Sequence, residues 1–161
     1  MNNGKIYTAE FNHVPVLKFT GDIRVLLSGA LDQYFSSLYQ RPILDSLVVD
    51  LTETEGIDST ALGLLAKMAI QLRNRFNVTP TILSTNEDIT SILKSMSMDL
   101  ITDIVEDDLE KDVGYQELSQ LNEKEEEIRK RVIDAHQTLM NLSEENRREF
   151  QELVAALKSG N

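Results

Sequence analysis

The chain has 161 residues, with 16 Lys and Arg against 27 Asp and Glu, a formal charge of −11, 41% hydrophobic residues, seven Gly and three Pro. That is one domain with an appendage, apolar enough to bury a core, and too acidic for a nucleic-acid partner, which would need clustered Lys and Arg to neutralise phosphates. The absence of Cys excludes disulfides, zinc-thiolate sites and a thiol nucleophile.

Taken in order, KIYTAEF and VPVLKFT are β-branched and aromatic runs separated by Asn12 and His13, a hairpin pattern. Leu27, Leu31, Tyr34, Phe35 and Leu38 then recur at spacings of three and four, which predicts a helix from Val25 to Tyr39 ended by Arg41-Pro42. SLVVDL is a continuous apolar run ending in Asp50 and reads as a strand buried on both faces, followed by a short loop containing Gly56 and Ile57. A second helix is expected from Asp58 or Ser59 to about Phe76, with Leu62, Leu65, Ala66, Ala69 and Leu72 inward. TPTILST follows as a strand, then a helix from Glu87 to about Met98, then a short strand in ITDIVED. Strands alternating with helices predict an α/β fold, with a mixed sheet of four to five strands and helices packed mostly on one face.

Composition changes near Asp107. Residues 1–107 hold all three Pro and seven of nine aromatics, with 8 basic against 14 acidic side chains, whereas 108–161 pack 8 basic and 13 acidic into half the length. This divides the chain into a domain, 1–107, and a charged helical extension, 108–161. In the extension Leu121, Ile128, Val132, Ala135, Leu139 and Leu142 follow three-four spacing, and Ser143-Glu144-Glu145 is a helix start before Phe150, Leu153, Val154 and Leu157. A coiled-coil helix and a helical hairpin both fit. The apolar stripe needs a partner surface, which is the folded domain, the other half of the hairpin or a second subunit as a homodimer. MNNGKIYTAEF has no apolar core of signal-peptide length, and the longest apolar stretch, Ala61 to Ala66, is far below the roughly 18 residues of a spanning helix, so a cytoplasmic chain without membrane contact is expected.

The informative segment is ETEGIDSTALG, Glu53 to Gly63. By residue type alone Asp58, Ser59 and Thr60 are helix N-cap residues, worth about 1 kcal/mol per cap. In context, VVDL followed by Gly56-Ile57 and then Asp58-Ser59-Thr60-Ala61-Leu62-Gly63 resembles the signature of STAS domains, in particular bacterial anti-sigma-factor antagonists. FTGDI, Phe19 to Ile23, and the order of elements extend the resemblance over about residues 1–107. One departure is Arg24, where the family often carries Asp.

The resemblance implies a phosphorylation-controlled binding switch rather than an enzyme, with Ser59 as phosphoacceptor. Asp58, Thr60, Gly56 and Gly63 would support the phosphosite. Glu53, Glu55, Ile57 and Leu62 would be partner-interface candidates. Its implied partners are an anti-sigma factor or a serine kinase of the partner-switching type, captured by the unmodified form, and a serine phosphatase that resets it. A second reading is a structural adaptor or dimerisation module in a signalling assembly, with the tail as the assembly element.

Other residues carry less. His13 and His136, without Cys, are too few for a metal site and are expected in solvated or helix-face roles, and no cofactor is expected. Asp108, Glu110 and Asp112 alternate like a calcium loop, but the sixth position lacks Gly and the twelfth is Ser119, so the pattern is discarded. Glu125 with Arg129 and Glu127 with Arg131 are spaced for charge pairs along a solvated helix face.

Overall fold

A computed structural model describes residues 3–109 and 114–160. Strands β1 (Lys5–Phe11) and β2 (Val14–Ile23) run antiparallel with Phe11 opposite Val14, so Asn12 and His13 alone make the reversal. Both hold positive φ, 51° and 67°, the left-handed pair of a two-residue type I′ turn. Along β2, Leu17, Phe19 and Ile23 are buried while Lys18, Thr20 and Asp22 alternate on the opposite, half-exposed face.

From β2 onward the sheet grows by parallel addition of β3 (Val48–Ile57), β4 (Thr81–Leu83) and β5 (Asp103–Val105). The crossovers contain α1 (Ser28–Tyr39), α2 (Ser59–Phe76) and α3 (Glu87–Ser95). Every crossover steps in the same direction along the sheet, and such connections are right-handed, so the three helices fall on one face. Between the layers Leu17, Phe19, Val49 and Leu51 share a core with Leu31, Phe35, Leu65 and Leu72. Each such side chain contributes about 1.5–3 kcal/mol by leaving water. The expected first helix begins instead with a 3-10 turn, Val25–Leu27, and the third helix stops at Ser95 before another short turn, Met98–Leu100.

Three expectations are corrected. The strand expected to end at Asp50 runs on to Ile57, because two register shifts each let β3 carry one extra residue against β2, keeping Glu53, Thr54, Gly56 and Ile57 in the ladder. Nor is it apolar on both faces: Asp50 is only 2% exposed, and its carboxylate accepts from the Thr52 amide at 2.9 Å and hydroxyl at 2.6 Å. The sheet has six strands, in the order β5-β4-β3-β2-β1-β6, and β6 (Gln116–Glu117) comes from beyond residue 107 to pair with β1. The composition break therefore precedes the last strand of the sheet.

The extension forms a helical hairpin. α4 (Glu125–Met140) and α5 (Glu144–Ser159) are joined by a short turn, and the Ser143 hydroxyl caps α5 by accepting from the Asn146 amide at 3.1 Å. In place of the expected Glu125–Arg129 and Glu127–Arg131 pairs, the two Arg take other partners, most of them beyond α4. Arg129 donates to the carbonyls of Leu157 at 2.7 Å and Gly160 at 2.5 Å, the electronegative end of α5, and bonds Glu126 at 3.3 Å. Arg131 pairs with Glu123 and donates to the Ser28 hydroxyl at 3.1 Å. Among the described residues no helix is long and apolar enough to cross a membrane, and none form a cluster able to hold a metal ion. Glu110 and Asp112 of the calcium-loop pattern lie outside the described residues.

Candidate functional site

The junction between β3 and α2 is built from its backbone upward. The Asp58 amide donates to the Ile23 carbonyl at 3.0 Å, carrying the β2–β3 ladder one residue past the strand. Asp58 then turns the chain as N-cap of α2, with extended backbone and a carboxylate that accepts from the Ala61 amide at 2.9 Å. Ser59 is consequently the first residue of an 18-residue helix whose other end is closed by Asn77 in the left-handed conformation. Thr60, one position deeper, is buried, whereas Ser59 is partly exposed.

The other residues named with Ser59 are placed as follows. Gly56 lies in β3 opposite Asp22 rather than in a loop, and a Cβ there would stand 2.6 Å from Asp22 Oδ1, so a larger residue would have to displace the Asp22 carboxylate. The Asp22 carboxylate is held by Arg24 Nε at 2.7 Å, so the residue that departs from the family pattern braces its neighbour. Of the expected contact residues, Glu53 and Glu55 are exposed on β3, and Glu53 pairs with Lys18, whose pKa that hydrogen bond raises. Ile57 and Leu62 are buried, so their side chains form core rather than surface.

Sequence reasoning missed His136. It is 2% exposed, and its Nε2 lies 2.7 Å from Ser59 Oγ. Its Nδ1 lies 2.7 Å from the Val132 carbonyl, which can only accept, so Nδ1 donates there; in the tautomer with that single ring hydrogen, Nε2 accepts from the Ser59 hydroxyl. The ring edge meets Phe150 of α5 at 4.9 Å between centroids. The solvated role expected for His136 is thus corrected. Its signal was its register: Val132, Ala135, His136 and Leu139 lie on one face of α4 at spacings of three, four and seven.

One turn along α2, Gly63 admits the backbone of α4, since a Cβ at Gly63 would stand 2.4 Å from the Ala135 carbonyl oxygen. Lys67 Nζ bonds Asp134 Oδ2 at 2.8 Å, and Asn146 Nδ2 donates to the carbonyls of Met96 at 2.8 Å and Leu139 at 2.9 Å. The buried side chains of Ala135, Leu139, Phe150 and Val154 complete the seal. The expected apolar stripe of the extension is therefore largely covered within the same chain, by α2 and across the hairpin, with Leu153 left exposed. Surface clefts lie elsewhere, one along Ser84, Thr90 and Lys94, another along Arg73, Thr79 and Asp103.

The model of the STAS domain family matches residues 5–111. The fold is shared with the crystal structure of an anti-sigma factor antagonist from Mycobacterium paratuberculosis, at a TM-score of 0.56 and 17% identity over 65% of this chain and 87% of that one. A search of curated proteins found no match. The chain belongs to the STAS domain family, and the α4–α5 hairpin lies beyond the matched residues.

Proposed function

We propose that this chain is an anti-sigma-factor antagonist whose protein binding is switched by phosphorylation of Ser59. The observation that carries the reading is the position of Ser59, at the first residue of α2 with Asp58 as its cap, within a STAS fold. A phosphate at a helix N-terminus meets free amides and the positive end of the dipole, worth about 0.3–1 kcal/mol for each favourable charge. The fold therefore tolerates modification. A partner that must desolvate the same corner meets a new charge of nearly −2 beside Asp58, with Glu53 and Glu55 on the adjoining strand, and like charges brought together in an interface cost several kcal/mol. The interface term is the larger, so modification ejects the partner and leaves the domain folded.

In this reading the unmodified form captures an anti-sigma factor or a serine kinase of the partner-switching type, and a serine phosphatase restores it. The protein acts by binding, not catalysis, in the cytoplasm. The alternative, a structural adaptor or dimerisation module assembled through the tail, has less support, because most of the stripe that would form the dimer is covered within the chain, Leu153 being exposed. Phosphopeptide mapping of protein isolated from its source cell tests the reading. Phosphate at Ser59 is the expected result, and a chain modified only elsewhere would contradict it.

A further inference from the structure

We propose that the α4–α5 hairpin is an intramolecular lid over the switch corner, latched by His136 on Ser59, and that a phosphoryl group on Ser59 expels it. This rests on the reading of Ser59 as phosphoacceptor. The lid lies outside the residues that match the family, so it is a property of this chain.

The steric conflict is local. Phosphorylation from a nucleoside triphosphate forms the Oγ–P bond, breaks the bond from phosphorus to the departing nucleoside diphosphate, and passes the hydroxyl proton to a base of the kinase and then to solvent. The hydrogen that Ser59 donates to His136 is therefore lost, and three phosphate oxygens must be placed around an atom that now has an imidazole nitrogen at 2.7 Å. Retreat of the ring alone is blocked. His136 is almost fully buried, held at Nδ1 by Val132 and edge-on by Phe150. Nor can α4 slide inward, because Gly63 and Ala135 already bring the two backbones to a separation that excludes even a Cβ. Relief requires α4 to leave α2.

The hairpin is built to move as a unit. Contacts within it, from Arg129 to the carbonyls ending α5 and from His136 to Phe150, survive its departure. Contacts to the domain are the Ser59 bond, Lys67 with Asp134, Arg131 with Ser28 and Asp32, and Asn146 with the Met96 carbonyl, together with the apolar seal. The same geometry works in reverse. A kinase or a partner that covers the start of α2 competes with the hairpin for that surface, so capture by the unmodified form draws on molecules in which the hairpin has lifted, and the phosphate both lifts the hairpin and repels the partner.

The test is hydrogen–deuterium exchange on full-length protein carrying phosphoserine installed at position 59 during synthesis, compared with the unmodified protein. Exchange across 125–140 is expected to rise by about tenfold or more, while β2 and β3 peptides keep their unmodified rates. Gly63→Leu, which wedges α4 off α2 without touching Ser59, should reproduce that pattern. Unchanged exchange in α4, or slower exchange because His136 pairs with the phosphate as imidazolium, overturns the proposal. Acceleration spread equally through β2 and β3 overturns it as well, since the phosphate would then unfold the domain. The installed phosphoserine needs no kinase, so an unmoved lid sinks this inference alone. Absence of phosphate at Ser59 in the cell would sink the functional reading instead.

Discussion

Ser59 and His136, 77 positions apart, are joined Oγ to Nε2 at 2.7 Å, and through them the start of α2 is tied to the middle of α4. His136→Ala removes this bond, the Phe150 edge contact and a buried ring at once. The expected cost is about 2–3 kcal/mol, in the range of cavity-forming substitutions. Chemical denaturation of the full chain measures it. A histidine on a solvated face would give a change within about 0.5 kcal/mol.

Gly63→Ala makes a prediction of sign. In a helix interior Ala is favoured over Gly by about 1 kcal/mol. Here the added methyl would meet the Ala135 carbonyl at 2.4 Å, and overpacking against rigid backbone costs about 1–3 kcal/mol. Thermal denaturation should show a less stable protein. A stabilised Gly63→Ala protein would mean that α4 does not rest on α2.

Arg131 is a fastener whose loss leaves a charge behind. Its side chain and that of Glu123 are only 12% and 11% exposed, and Arg131 also reaches Ser28 and, at 3.8 Å, Asp32. Arg131→Met strands the Glu123 carboxylate, at a cost of about 3 kcal/mol. Adding Glu123→Gln should recover more than half of that loss. Equal stabilities of the single and double variants, measured by urea denaturation, would contradict the pairing.

Alkaline pH should loosen the protein from two places. The hydrogen bond to Asp134 raises the Lys67 pKa above 10.5, and burial pushes the Tyr34 phenol up to about 12 and the Tyr39 phenol higher still. In each case the folded state holds its proton more tightly than the unfolded chain. The stabilisation is complete below the unfolded values, near 10, and is lost as pH rises through the folded ones. Denaturation midpoints should fall from about pH 10 upward, and phenolate absorbance of the α1 tyrosines should appear only with unfolding or near pH 12. Simple titration of both tyrosines near 10 in the folded state would contradict their burial.

Local chemistry made much of the fold legible. Asn12 and His13 take the left-handed conformations a two-residue turn demands, Asp58 caps α2 and Ser143 caps α5, all expected from residue type and position. Given the strand order, right-handed crossovers account for the helices lying on one face. What escaped depends on contacts between distant segments. Glu53 and Glu55 read as loop residues because they face outward, yet bulges keep β3 paired around them. β6 has two residues, too few for any periodic pattern. Arg129 and Arg131 have well-spaced acidic neighbours on their own helix, but the hairpin and α1 offer less exposed partners. His136 stood on the apolar face of α4, and only the docking of α4 on α2 shows what it faces.

The central claim is that the charge state of Ser59 decides partner capture. Full-length Ser59→Ala and Ser59→Asp proteins, used as paired baits in extracts of the source cell, test it most directly. The account predicts that Ser59→Ala recovers an anti-sigma factor or switch kinase at least about tenfold more efficiently than Ser59→Asp, a difference of 1.4 kcal/mol or more, with both baits folded. Equal recovery of that partner by the two would contradict it.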